Sequence, residues 1–412
     1  MMKGSGTEMV QAEEINPRIL AWARETAGLS VEEAAEKLGL TSSIRSSSAE
    51  KLRALEAGEK APTPQQLLRA AALYRRPLIA FYLDEPPSRG DRGEDFRTTA
   101  GSVSSRDNGI LDALLRDLRA RQQLLRAMLE DEDEARPLPF ISSARVEHGA
   151  TRAAAAMRKV LGIELEDQRQ ARSPDGLFSL LRNAAERVGI YVLLLGDVGS
   201  HHSDIGEDVF RGIAIADEVA PFVIINDNDA QTARAFTLLH ELAHIWIGAS
   251  GVSGPLQSLS SDGIERFCND VAGEFLLPAS ALDDQSALRT AEFSVVLRAT
   301  ERLAESWNVS QGLVTYRFVR NGWIGTDTAS GLFAYFTNRW RLEKQRSKES
   351  RNPDATGPSY YVVRRHRLGA GLLDVVRRGL RGDVLTHTRA AKILGVSPAN
   401  VGPLLQERTR AV

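Results

Sequence analysis

The sequence predicts a multidomain α+β protein: an all-helical first unit, a second unit in which a small mixed sheet leads into a histidine-bearing helix, and a helical C-terminal region. Three observations predict it. The length, 412 residues, exceeds what one hydrophobic core usually serves. Residues 16–83 carry only helical periodicity, punctuated by caps, Gly and Pro. The runs IYVLLLGD, FRGIAIADE and PFVIIND then read as strands, and they are followed directly by the helical DAQTARAFTLLHELAHIWIG.

Composition narrows the class. With 42% hydrophobic and 26% charged residues, the chain has a soluble globular make-up. A net charge of -2 argues against a chain dominated by nucleic-acid binding, though not against a locally basic domain. The single cysteine, Cys268, excludes an internal disulfide and a cysteine-rich metal cluster, which suits a reducing compartment. The N-terminal run MMKGSGTEMVQAEEINP offers no apolar segment for a signal peptide, and no later stretch is long and apolar enough to span a bilayer. The expectation is a cytoplasmic protein without a membrane partner.

The first unit is read from its caps. Asn16 and Pro17 form an N-cap and first-turn pair, and Ile19, Leu20 and Ala23 begin an apolar stripe that stops at Gly28. Ser30 and Glu33 have capping-box spacing at the head of VEEAAEKLG, which Gly39 ends. A third helix falls within SAEKLRALEAG and a fourth within TPQQLLRAAALY. Helix, Gly-containing turn, helix is the layout of a helix-turn-helix module. From Arg18 to Arg76 ten Lys/Arg stand against seven Glu, an excess of three, a mild electrostatic footprint for DNA. Arg45, Lys51 and Arg53 are the candidate DNA contacts; a dimerisation or protein-interaction module is the other use of the same shape.

Residues 84–110 are rich in Pro, Gly, Ser and charge and read as a linker. LDALLRDLRARQQLLRAMLEDEDEARP follows as a helix whose leucine stripe packs on a neighbouring domain. SPDGLFSLLRNAAERVG is helical, and the three strands come next, FRGIAIADE and PFVIIND as a pair. At the C-terminal end, YYVVRRHRLGAGLLDVVRRGL and THTRAAKILGVSPANVGPLLQ are amphipathic helices, the latter with a Gly-Val-Ser turn like that of another helix-turn-helix. Arg364, Arg365, Arg367, Arg377, Arg378 and Arg381 make this region basic, which suits nucleic acid, an acidic partner or docking against the preceding domain.

HELAH, residues 240–244, carries the chemistry. Residues four apart on a helix share a face, so His240 and His244 can present two imidazoles to one ion. Zinc takes about four ligands, and catalytic sites leave one position to water. Glu241, next to the first ligand, can take that water's proton. The bland alternative is an amphipathic core helix, yet three polar side chains in an otherwise apolar helix are costly to bury without a purpose. For a third ligand, Glu265 sits in the first turn of IERFCNDVAGEFLLP and would complete a His, His, Glu set; Asp262 and Glu265 also have capping-box spacing, so Glu265 could simply cap the helix. Cys268 could supply a thiolate or be a small buried hydrophobe, and Asp270 and Glu274 are further carboxylates. His201 and His202 lie in a polar loop, and Tyr191 and Tyr316 are candidates for stabilising an oxyanion.

Together FRGIAIADEVAPFVIINDNDAQTARAFTLLHELAHIWIG, IERFCNDVAGEFLLP and WNVSQGLVTYRFVRNGWI resemble the ImmA/IrrE family of metallopeptidases, while LEAGEKAPTPQQLLRAAALYRRPLIAFYLDEPP closes a module that resembles the XRE (Cro/C1-type) helix-turn-helix domains. TSSIRSSSAEKLRA is longer and more serine-rich than the usual turn and recognition helix, and Phe267 and Val271 fall where the family usually has polar or aromatic residues. The resemblance implies a zincin-like domain with a small mixed sheet and an HExxH helix. It also implies Zn2+ held by His240, His244 and Glu265, with Asn269 and Pro278 completing the third-ligand motif, and Glu241 as the base. An edge strand, FRGIAIA, is expected to align an extended peptide. The resulting layout is a helix-turn-helix domain over 16–87, a linker and connecting helix over 88–149, a peptidase domain over 150–325 and a basic helical region over 326–412. The implied function is cleavage of a regulatory protein such as a repressor. The other function class is a helix-turn-helix antitoxin that binds a cognate toxin and its own promoter DNA. A homodimer is among the expected partners.

Overall fold

Side-chain caps start the first helices of the computed structural model, which describes residues 15–43, 46–87, 94–95, 104–197, 205–207, 209–254, 263–349 and 357–406. Asn16 accepts the Arg18 N–H at 3.0 Å at the head of α1 (Pro17–Thr26). Reciprocal capping boxes open α2 (Val31–Lys37), α3 (Ser48–Glu56) and α4 (Pro64–Leu73) through Ser30/Glu33, Ser47/Glu50 and Thr63/Gln66; each satisfies two backbone donors that the first turn leaves orphaned. Ile19, Leu20, Leu52, Leu67 and Phe81 form the buried centre of this bundle. Arg24 clamps it by donating to both carboxylate oxygens of Glu56 at 2.7 and 3.1 Å and to the Leu29 carbonyl at 3.1 Å, a bidentate pairing that ties α1 to α3.

Two compact units divide the described residues. The first holds residues up to 87 with 104–116; the second holds 94–95 and everything from 117 on. Helix α5 (Ser105–Asp131) serves both. It begins inside the stretch expected to be linker because Ser104 caps it, accepting the Asp107 N–H at 3.1 Å and donating to the Asp107 carboxylate at 2.6 Å.

In the second unit β1 (Glu94–Asp95) and the rest of α5 are followed by α6 (Ala150–Leu161), α7 (Leu165–Arg169), α8 (Pro174–Arg187), β2 (Tyr191–Leu194), β3 (Gly212–Ile215), β4 (Phe222–Ile225), α9 (Gln231–Ile247), β5 (Gly251–Ser253) and α10 (Gly263–Leu276). Then come α11 (Phe293–Trp307), α12 (Gln311–Arg320), α13 (Thr326–Glu349), α14 (Tyr360–Leu368), α15 (Ala370–Arg381), α16 (His387–Leu394) and α17 (Pro398–Leu405). The sheet is mixed, in the order β1-β5-β3-β4-β2: β3 is antiparallel to both β4 and β5, whereas β2 runs parallel to β4 and β1 parallel to β5. FRGIAIA is therefore an interior strand rather than the expected edge, because residues 251–253, too short to read as a strand, pair with its second side. Four-residue strands buried throughout show the continuous apolar runs of a covered sheet. Helix α9 lies against β3 and β4 and packs on α8 and α10.

Helix α14 turns Arg364, Arg365 and Arg367 inward, while Arg378 and Arg381 of α15 stay exposed. Arg364 donates to the Leu394 and Gly395 carbonyls, Arg365 to those of Pro403, Leu404 and Gln406, and Arg367 to Asp197 and Asp227 at 2.7 and 2.6 Å. Gly395, in the left-handed region at φ 61°, makes the turn between α16 and α17, but α17 itself carries no Lys or Arg. From α8, Arg182 donates to the Val192 carbonyl on β2, the His366 and Arg367 carbonyls of α14, and Glu186 at 3.1 Å. Both partners of that pair are buried. Removing Arg182 leaves the buried Glu186 carboxylate without its counter-charge, held only by backbone donors such as the Gly371 N–H at 2.9 Å, so Arg182→Ala is expected to cost about 3 kcal/mol. Urea denaturation measures it; a loss under about 1 kcal/mol would place the pair in the class of surface ion pairs.

Candidate metal centre

Helix α9 carries the site because it is buried along most of its length. Twelve of its residues are buried, Trp246 stacks on Phe140 at 4.5 Å between ring centroids, and Gly248, at φ 75°, ends the helix with a left-handed cap that favours glycine. Within this apolar setting His240 is 4% exposed, Glu241 0% and His244 1%. Polar groups in such surroundings need partners.

The partner comes from α10. The Nε2 atoms of His240 and His244 lie 3.1 Å apart, and the Glu265 carboxylate reaches them at 3.4 Å and 2.9 Å. Ligands about 2.0–2.1 Å from a tetrahedral ion stand about 3.3 Å from one another, so the three separations fit one small cation at their centre. A proton shared between two rings satisfies only one line of this triangle, whereas a cation satisfies all three. Among the described residues, His240, His244 and Glu265 are also the group whose donor atoms converge, within 4.8 Å, as a metal site requires.

Neighbouring contacts explain why Glu265 faces the rings and the other carboxylates of α10 do not. Asp270 accepts the Tyr316 hydroxyl at 2.8 Å and Arg320 at 2.7 and 2.6 Å, and Glu274 accepts Arg317 at 2.6 Å, so both are engaged by α12. This also commits the Tyr316 hydroxyl, which sequence reasoning had offered as an oxyanion donor. Cys268 is fully buried, and burial pushes its thiol well above the ordinary range, as expected of a packed hydrophobe and not of a thiolate ligand.

Electrostatics separate the four groups. Burial works against charge on Glu265, but the facing His240 and His244 hold its carboxyl down at about 2. Burial opposes charge on His240 too, and the Glu265 carboxylate outweighs it, lifting the ring to about 8; burial keeps His244 below its usual range. Glu241 is pushed up to about 8 by burial. The Ser253 side chain is its hydrogen-bonding neighbour and pulls the other way. A buried carboxyl poised near neutrality beside two converging imidazoles has the properties of a proton acceptor.

Two further residues at the site carry no sequence signal. Ser253 of β5 places its Oγ 3.5 Å from His244 Nε2, and Gly212 of β3 abuts the Glu241 carboxylate. Neither is legible in a linear motif, since both arrive through strand pairing. Tyr191 packs its ring against Phe222 at 5.6 Å between centroids, and its buried phenol is raised to about 12. Of the candidate DNA contacts, Lys51 donates to the Thr41 carbonyl at 2.5 Å and Arg53 pairs with Glu32 at 2.8 Å, both near the surface of the first unit. Arg45, Asp262, His201 and His202 lie outside the described residues.

Comparison with known families agrees with this layout. Residues 185–319 match the IrrE N-terminal-like domain, a peptidase family, and residues 18–79 match a helix-turn-helix domain. The first match spans β2 to α12 and so contains His240, Glu241, His244 and Glu265. Among curated proteins and among solved structures, nothing matches the chain. No helix among the described residues is long and apolar enough to cross a membrane.

Proposed function

From a chain that joins an IrrE N-terminal-like peptidase domain to an N-terminal helix-turn-helix domain, we propose a zinc-dependent endopeptidase that cleaves a regulatory protein such as a transcriptional repressor in the cytoplasm. The supporting observation is the convergence of His240, His244 and Glu265 beside the buried Glu241. In this reading 16–87 is the nucleic-acid-facing domain, 88–149 the connection, 150–325 the peptidase and 326–412 a helical region docked on it.

His240 and His244 would hold the ion through Nε2 and Glu265 through its carboxylate. Bound zinc supplies a Lewis acid for the scissile carbonyl and lowers the pKa of water towards neutrality. Glu241 accepts the proton of the attacking water on a carboxylate oxygen and then delivers it to the departing amine nitrogen. Its full burial excludes bulk water, which strengthens each charge interaction. An extended substrate would add to the outer edge of β5, the strand that brings Ser253 to His244, in place of the two-residue β1.

The test is to incubate the purified chain with lysate of the cells that produce it and to map new protein N-termini with and without a zinc chelator. One discrete cut that disappears with the chelator is expected. The helix-turn-helix match over residues 18–79 favours a second reading, an antitoxin or transcriptional regulator that binds a cognate toxin and its own promoter, as a monomer or homodimer, with Arg45, Lys51 and Arg53 on the DNA. No chelator-sensitive cut, together with salt-dependent promoter binding that survives His244→Ala, would select it.

A further inference from the structure

A glycine in a strand offers no side chain to packing, so its presence at the head of β3 calls for a reason. Gly212 lies in β3 between Ile225 of β4 and Ser253 of β5. Its φ is not in the left-handed region, so backbone conformation does not demand glycine there. What demands it is space. A Cβ at this position would lie 2.6 Å from the Glu241 Cδ and 2.7 Å from its Cγ, and nearer still to Oε1. Ala214, two residues on and therefore on the same face of the strand, belongs to the core that includes Leu238, Leu242 and Ala243 of α9. Small residues on this face let α9 pack on the sheet, and at residue 212 only a hydrogen atom leaves room for the carboxylate.

We propose that Gly212 is a positioning residue: the missing side chain is the seat of the Glu241 carboxylate and sets where that group stands relative to His240, His244 and Glu265. This rests on the reading of Glu241 as the proton acceptor for its consequence in catalysis, but not for the seat itself. A methyl group on residue 212 must displace the carboxylate by roughly an ångström to reach ordinary contact, and a misplacement of that size at a reacting group lowers turnover by about 100-fold. The atoms nearest that methyl all belong to Glu241 and none to His240, His244 or Glu265, so metal content is expected to stay as it was.

The experiment is a double-variant cycle on the full chain with three readouts: melting temperature, zinc per chain, and rate of the chelator-sensitive cut. Gly212→Ala is expected to lower the melting temperature by about 5 °C, to leave zinc unchanged and to slow turnover about 100-fold. In a Glu241→Ala background the same Gly212→Ala change is expected to cost little stability, because the truncated residue 241 vacates the space the methyl needs. Equal melting shifts in the two backgrounds would overturn the seat, as would loss of zinc in Gly212→Ala. If Gly212→Ala alone does not fold, recovery of folded protein in the double variant is expected, and its failure to recover would likewise overturn the proposal. The melting cycle reads the seat without any cleavage, so an absent peptidase activity and an absent seat give different results.

Discussion

Glu241→Gln is expected to retain about one zinc per chain while cleavage falls by about 100- to 10,000-fold. Gln has the size and shape of Glu, so the packing between α9 and β3 has no reason to change. What changes is proton chemistry: an amide oxygen is a far weaker base than a carboxylate, and the NH2 group cannot accept a proton at all. Glu241 is fully buried with Ser253 as its side-chain hydrogen-bonding neighbour, a contact that the amide oxygen of Gln can also accept; relief of a buried ionisable group leaves stability equal or higher. Elemental mass spectrometry and the rate of the chelator-sensitive cut, measured on the same preparation, decide it. Full cleavage with full zinc would remove Glu241 from the chemistry.

Glu265→Ala is expected to weaken zinc binding by at least 100-fold, since even groups that only support metal ligands cost about 10- to 100-fold when removed. Two neutral imidazoles 3.1 Å apart remain, without the anion that completes the charge and geometry of the site. The competing role, a cap on α10, predicts a different outcome: about 1 kcal/mol of stability lost and metal retained. Asp270→Ala is the control on the same helix. Its carboxylate is engaged by Tyr316 and Arg320, so that variant should lose stability but keep zinc. Retention of zinc by Glu265→Ala, with loss only in thermal stability, would sink the three-ligand reading.

Local signals in this chain are legible because their physics is local. The capping boxes of Ser30/Glu33 and Thr63/Gln66, the left-handed Gly395 between two short helices, and the i, i+4 pairing of His240 with His244 depend on residues within one or two turns. Helix α5 shows the limit. Its first turn hid in a Gly-, Ser- and charge-rich stretch, because a Ser104–Asp107 cap looks like ordinary loop composition. The basic C-terminal run shows another. Arg364, Arg365 and Arg367 read equally as a surface for nucleic acid, for an acidic partner or for docking on the preceding domain, and only the folded chain shows their guanidinium groups satisfying carbonyls and Asp carboxylates within the fold.

The HELAH pattern already contained two ligand candidates and a base, since helical geometry alone puts them on adjoining faces. The strands and the class of fold were likewise written in apolar runs and their order. Pairing was not: short, uniformly buried strands carry no alternation to reveal their neighbours, so the interior place of β3 and the addition of Gly251–Ser253 emerge only when the sheet assembles. The choice of Glu265 over Asp270 and Glu274 depends on where Tyr316, Arg317 and Arg320 of α12 lie, and the seat of Glu241 depends on a glycine 29 positions earlier in the chain. Each is a contact between segments distant in sequence, and such contacts follow from packing, which no single segment encodes.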